Sequence, residues 1–426
     1  MQLYNTLSRR LERFEPVGPV VGLYVCGITP YDTTHLGHAR CYVVFDLLQR
    51  ALRYHGYRVR YIQNITDIDD DILRKAREVG VPYDELGNRW LAVYRADVEA
   101  LNLLPPAVWP RATREIPTML AIAQALVARG HAYVRDGNVY FRVRTAPDFG
   151  ALSRFSREQM LARLREERFD PDDPRKEDPL DILMWQASAP GEPAWPSPWG
   201  PGRPGWHIEC TAMAYRYLGP TLDIHGGGED LIFSHHESER VQAESYTGVR
   251  PFVRFWVYAG TVYFDGAKMS KSLGNLVLVR DLLQRYSADA LRLYLARCHY
   301  RQAFTWDEAQ LAEAAALAAR LRRAATAADR ARRPAAALVG ADPPGDPPAP
   351  PARPPDGPTA EYRARFEAAL DHDLDTPTAI AVLAELAGAI ERGGPHAGEQ
   401  AALLVELGEV LGLRLLDQPG TRWPDF

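Results

Sequence analysis

Cysteine is scarce in this chain: Cys26, Cys41, Cys210 and Cys298 are the only four among 426 residues, and none forms a CxxC pair. So sparse a set builds no disulfide framework, and a chain of this length does not need one. Reduced thiols in a cytoplasmic protein are the expectation. Long apolar runs are also missing. No stretch approaches the ~20 apolar residues of a membrane span, and the opening MQLYNTLSRRLERFEP has no signal-peptide core. No membrane partner is therefore expected. Positive charge is not in excess either. The formal net charge of −5 excludes a uniformly polycationic surface, so any nucleic acid must meet local patches. No internal repeat is visible.

What is present points to an α/β chain of several domains. VVGLYVCGI (20–28) reads as a buried strand entering a loop at Thr29 and Pro30. In HLGHARCYVVFDLLQRALRYHGY, the residues Val43, Val44, Phe45, Leu47, Leu48, Ala51 and Leu52 recur at helical spacing, and Gly56 stops the helix. YRVRYIQNI (57–65) is a second strand. Strand, loop, helix and strand make a βαβ unit, which builds a parallel nucleotide-binding sheet when repeated. DIDDDILRKAREVG (67–80) opens a helix whose acidic start reads as capping and solvation ahead of metal binding. NVYFRV (138–143) predicts a strand. The Pro-, Asp- and Trp-rich stretch from Phe169 to Pro204 predicts an inserted subdomain with long loops over a site. The sheet pattern returns in TLDIHGGGEDLIF (221–233) and FVRFWVYAG (252–260), and helices predominate from Leu282.

Two motifs carry chemistry. His35-Leu36-Gly37-His38 places two imidazoles at i, i+3 on the positive end of a helix. Gly37 leaves room for a flat base or sugar. Alone, such an HxxH is more often structural than catalytic. Lys268-Met269-Ser270-Lys271-Ser272 puts two lysines on a Gly-flanked loop. That suits a mobile phosphate clamp, because attack of a carboxylate on an α-phosphate builds charge that Lys and His donors stabilise. The pair, in this order on one βα fold, is specific.

With these motifs the chain resembles the class I aminoacyl-tRNA synthetases, and within them the cysteinyl-tRNA synthetases. The matching stretches are LYNTL, LYVCG, HLGHAR, NITDIDD, GRPGWHIEC, DIHGGGEDLIF, HHESE and KMSKSLGN, from residue 3 to about 310, and more weakly DLDTPTAIAVL and the terminal GTRW. The resemblance implies a Rossmann-like parallel-sheet catalytic domain with an inserted subdomain and a C-terminal α-helical region. It implies one zinc held by Cys26, Cys210, His235 and Glu239, with His225 and His236 as supporting neighbours. Spacing alone does not join Cys26 to Cys210. Cys41 and Cys298 match no ligand position and read as core thiols. A soft metal that takes a thiolate but not a hydroxyl selects cysteine over serine without an editing domain. His35, Gly37, His38, Lys268 and Lys271 would handle Mg-ATP. Thr66 and Asp230 would meet the substrate amino group and ribose region, and Gly27 and Thr29 would also line the site of cysteine and its adenylate. Trp206 either flanks the substrate side chain or packs within its Pro/Gly loop.

The implied organisation is a catalytic first half (1–120), an acceptor-end insertion (121–204), a catalytic second half (205–281), a helical stem-contact region (282–325), an Ala/Pro-rich linker (326–358) and a short helical module (359–426). The expected reaction joins L-cysteine, through its adenylate, to the 3′ end of tRNA(Cys), catalysed by a monomer. An alternative acceptor is open. GITPYD, NLVLV and EERFDPDDPRKEDPLD resemble the paralogous cysteine ligase of mycothiol biosynthesis, which acts on a glucosaminyl-inositol, whereas Arg40, His225 and Glu239 follow the synthetase pattern. HHESE departs from the synthetase form at Ser234 and Ser238. A further anticodon-binding domain, usual in the synthetases, is not expected after the helical module. The arginines of 316–334 (Arg320, Arg322, Arg323, Arg330, Arg332, Arg333) read as a solvated helix or a tRNA-phosphate contact. A non-catalytic nucleotide- or tRNA-binding paralogue is a third reading, opposed by the intact motifs.

Overall fold

The computed structural model describes residues 1–32, 34–269, 274–332 (backbone alone for 327–332), 357, 359–416 and 421–424. The chain opens with an antiparallel pair, β1 (Gln2–Asn5) and β2 (Arg10–Arg13), then enters β3 (Val21–Ile28). Helix α1 (Leu36–Tyr54) follows. It begins where the His35 side chain accepts the Gly37 N–H and ends before Gly56, whose φ of 85° turns the chain. β4 (Val59–Ile65) completes the βαβ unit. Helix α2 (Asp70–Val79) is capped by Asp69, which accepts the Asp71 N–H, and closes at left-handed Gly80. The acidic run therefore caps a helix, as capping preference predicts. α3 (Tyr83–Ala100) starts after Pro82.

The insertion comprises α4 (Ile116–Ala128), β5 (Ala132–Arg135), β6 (Asn138–Phe141), α5 (Arg157–Glu166), β7 (Ile182–Ala187) and β8 (Gly202–Pro204). Its strands form an antiparallel sheet in the order β5-β6-β7-β8. The chain returns through α6 (Trp206–Leu218), β9 (Leu222–Gly228), α7 (Glu237–Thr247) and β10 (Val253–Ala259), then the short strands β11 (Val262–Phe264) and β12 (Ala267–Lys268).

Among the described residues, β10-β9-β3-β4 is a fully parallel sheet. Strand periodicity divides its side chains between two cores. Leu23, Val25, Ile224, Phe255 and Val257 join α1 on one face. Tyr24, Cys26, Trp256 and Tyr258 join α4 and α6 on the other.

The C-terminal part is helical: α8 (Val279–Leu283), α9 (Ala288–Ala296), then, past β13 (Phe304–Thr305), α10 (Glu308–Arg332), α11 (Ala360–Asp371), α12 (Thr376–Glu391) and α13 (Ala397–Val410). α10 runs into the stretch expected as linker, because its alanines and arginines are strong helix formers. Most of that linker, with Arg333, lies outside the described residues, as do the side chains of Arg330 and Arg332. Arg320 pairs with Glu391 at 2.7 Å, which supports packing of α10 on α12. Arg292 bonds Asp46, which also holds Arg50, and so ties α9 to α1. Trp423 folds back onto the catalytic part, buried, with its indole N–H on Leu103 O at 3.1 Å.

Candidate active site and metal centre

Parallel strands place ligand-binding loops at their carboxyl ends. Here β3 leads to His35, β9 to Asp230 and β10 to Lys268, and all three residues line one cavity of about 1490 Å³. The insertion and α2 form its other walls.

The His35 and His38 rings stack with centroids 3.8 Å apart. His35 Nδ1 accepts the Gly37 N–H at 3.1 Å, which leaves the ring proton on Nε2 as a donor. A Cβ on Gly37 would stand 2.9 Å from the His35 ring, so glycine keeps that imidazole in place. The two motif-bearing segments are stitched together. Leu36 N–H bonds Val277 O at 2.9 Å, and Val279 N–H bonds Thr34 O at 3.2 Å. Lys268 Nζ bridges to Asp230 Oδ2 at 2.8 Å, both partly exposed on the cavity rim. Lys271 lies outside the described residues.

Behind Cys26, which lines the floor of the cavity, lies a cluster of buried donors. Cys26, Cys210, His235 and Glu239 offer ligand atoms within 4.8 Å of one another. Cys26 Sγ is 3.8 Å from Cys210 Sγ and 3.8 Å from Glu239 Oε1. His235 Nε2 is 3.2 Å from Glu239 Oε1. A second grouping replaces Cys210 and His235 by His225 and His236. There His225 Nε2 sits 2.9 Å from Glu239 Oε2 and His236 Nε2 sits 3.2 Å from Cys26 Sγ. His236 Nδ1 in turn bonds the Tyr258 hydroxyl at 2.9 Å. Burial pushes the Cys26 thiol and the Glu239 carboxyl up, and pushes the His235 and His236 imidazoles down. Those four groups thus resist their charged forms, and a shared cation offsets that penalty.

His207 was not singled out from sequence. Its Nδ1 lies 2.9 Å from His235 Nδ1, so it fixes that ring with Nε2 toward the cluster. Burial takes His207 down to about 3, which keeps it neutral. Its signal was its place next to Trp206 on α6. Trp206 stacks on His235 with centroids 4.1 Å apart and lines the cavity.

Gly27, Thr29 and Cys26 line the cavity, whereas Thr66, Cys210, His235 and Glu239 stand behind its wall. A Cβ on Gly27 would fall 1.6 Å from Asn64 O. The Gly27 N–H donates to Asn64 Oδ1 at 2.8 Å, and Asn64 Nδ2 donates to Thr66 Oγ1 at 3.1 Å. Arg40 is buried and donates to the carbonyls of Leu295, Cys298 and His299, a structural tie between α1 and the end of α9. Cys41 and Cys298 belong to neither donor group.

Residues 14–316 match the family described as tRNA synthetases class I (C) catalytic domain, and residues 365–416 match the DALR domain. A cysteine–tRNA ligase of Dehalococcoides mccartyi is 44% identical over 98% of this chain and 87% of its own length. One from Alkalilimnicola ehrlichii is 47% identical over 98% and 86%. The fold is that of the Mycobacterium tuberculosis methionyl-tRNA synthetase in complex with methionyl-adenylate, with TM-score 0.62, 18% identity and coverage of 93% of this chain and 90% of that one. Agrobacterium radiobacter K84 LeuRS, in a ternary complex with tRNA and LeuAMS, gives TM-score 0.63 at 14% identity over 94% and 85%. A two-motif cavity on a parallel sheet and near full-length identity to these ligases agree: the chain belongs to the class I aminoacyl-tRNA synthetases, in the cysteine–tRNA ligase family.

Proposed function

We propose that this enzyme activates L-cysteine with Mg-ATP to cysteinyl-adenylate and transfers the cysteinyl group to the 3′ end of tRNA(Cys). One observation carries the reading. A single cavity holds the His35/His38 pair and Lys268 on its rim and reaches Cys26 of the donor cluster at its floor.

In the first step the substrate carboxylate attacks the α-phosphate. A C–O–P bond forms, the α–β P–O bond breaks and pyrophosphate departs. His35 donates its Nε2–H to a phosphoryl oxygen, with His38 stacked beside it. Lys268 moves from Asp230 to the pyrophosphate, joined by Lys271. Asp230, released, accepts a ribose hydroxyl. Gly27, Thr29 and Thr66 hold the amino-acid end, and Trp206 closes over its side chain. In the second step a terminal ribose hydroxyl of tRNA attacks the activated carbonyl and AMP leaves.

The metal read into the floor is zinc. A tetrahedral ion with Zn–S of ~2.3 Å and Zn–N/O of ~2.0–2.1 Å separates its ligands by roughly 3.3–3.8 Å. The Cys26, Cys210, His235 and Glu239 distances of 3.8, 3.8 and 3.2 Å lie near that range. The 2.9 Å separation of His225 from Glu239 is instead a hydrogen bond, which makes His225 a supporting neighbour. When bound, zinc supplies a soft site for the substrate thiolate that serine cannot match.

The domain boundaries given from sequence, a monomeric state and a cytoplasmic location complete the proposal. No described helix is long and apolar enough to cross a membrane. Offering ATP, cysteine and both acceptors in parallel tests it. Esterification of tRNA(Cys) is expected, and charging of glucosaminyl-inositol alone would overturn the acceptor.

A further inference from the structure

We propose that Glu209 is the ammonium-recognising residue of the amino-acid pocket, its carboxylate receiving the substrate α-ammonium while its neighbour Cys210 belongs to the set that faces the substrate sulfur. The inference rests on reading the cavity as a cysteine-activating site.

Glu209 follows Trp206 by three positions on α6, so the two share a helix face, and both line the cavity. Glu209 is 1% exposed, and its Oε2 has no hydrogen-bond partner among the described residues. The bonds around it run one way. Gly27 N–H donates to Asn64, Asn64 donates to Thr66, and the Thr66 hydroxyl is left to donate to Glu209. The network therefore ends on a carboxylate that still has acceptor capacity and no donor to fill it. A buried carboxylate in that setting is stable with a cation that also brings N–H donors. Glu209 belongs to neither metal-donor group. An alkylammonium fits, since it is a compact cation with three donors.

The arrangement has a consequence for selectivity. A soft metal alone accepts any small thiol. An ammonium subsite one residue along the same helix fixes the spacing between amine and sulfur, so thiols without an amine are rejected.

The test compares cysteine with 3-mercaptopropionate, which is cysteine without its α-amino group. The cysteine KM is read from ATP–pyrophosphate exchange, and 3-mercaptopropionate is read as an inhibitor competing with cysteine. In Glu209→Gln the cysteine KM is expected to rise at least about tenfold, while the 3-mercaptopropionate inhibition constant, zinc content and ATP KM change less than about threefold. Equal weakening of both thiols, or an unchanged cysteine KM, overturns the inference and leaves cysteine activation standing. No cysteine-dependent exchange by the wild-type protein overturns the activation reading and this inference with it. Should Glu209→Gln fail to fold, Glu209→Asp keeps the charge but withdraws it by one methylene. It is expected to raise the cysteine KM selectively, and equal shifts for both thiols again overturn the inference.

Discussion

The thiols of Cys26 and Cys210, 184 positions apart in the chain, stand 3.8 Å from each other. Cys26 ends its run on β3 facing the α6 side of the sheet, and Cys210 lies in α6, which packs on that face. Strand parity and one helix packing thus create the donor pair.

Replacing Cys210 by Ser tests the pair. Its hydroxyl is a poor soft-metal ligand, so zinc measured by elemental analysis is expected to fall well below one per chain and the cysteine KM to rise at least about tenfold. Full zinc content in the variant would remove Cys210 from the ligand set.

His207→Ala removes the group that aims His235 without touching a donor. Loss of such a partner lowers metal affinity about 10–100-fold. Competition with a chelator should show that loss while thermal unfolding of the zinc-loaded protein changes little. An unchanged chelator midpoint would make the 2.9 Å contact incidental.

Lys268→Ala separates chemistry from binding. Its ion pair with Asp230 is partly exposed and contributes about 0–1 kcal/mol to stability. On the proposed function the ammonium acts where charge develops, so kcat is expected to fall about 10²–10³-fold with the cysteine KM nearly constant. A raised KM at unchanged kcat would place Lys268 in ground-state binding instead.

Gly27 and Gly37 should respond differently to alanine. At Gly27 the new methyl would meet backbone, 1.6 Å from Asn64 O, and a loss of about 3 kcal/mol or more is expected in denaturant unfolding. At Gly37 it meets only the His35 side chain, so the fold should persist while adenylate formation slows.

Asp69 gives a pH signature. Burial, with Asp71 and Asp70 nearby, pushes its carboxyl up to about 6 from 3.8, against the opposing Asp71 N–H. Between those values the unfolded chain releases the proton first, so this group lowers stability as pH rises through the window, and above it the full penalty stays constant. Asp69→Asn keeps the cap and loses the charge. Its advantage over wild type is expected to be near zero at pH about 3.5 and on the order of 1–2 kcal/mol at pH about 8, by urea unfolding. The same advantage at both values would contradict the assignment.

Much of this was legible in the chain. The β3–α1–β4 unit followed from apolar periodicity, the capping role of Asp69 from an acidic helix start, and the choice of His35, His38 and Lys268, which the fold brings to one cavity, from the two motifs. The donor cluster was legible only through family resemblance, because β3 and α6 are brought together by the sheet and not by spacing. Asn64, His207 and Glu209 were missed. Each stands within two residues of a singled-out position, but Asn64 makes its contact with Gly27 only once β4 pairs with β3, and His207 and Glu209 reach the site only once α6 docks. The Lys268–Asp230 pair was hidden for the same reason, since it joins loops from two strands.

The central claim is cysteine activation at this metal-dependent pocket, and ATP–pyrophosphate exchange tests it most directly. Zinc-loaded protein should exchange label with cysteine and not with serine, and metal-stripped protein should lose that activity and regain it on zinc addition. Exchange that is absent with cysteine, or equal with cysteine and serine, would contradict the account.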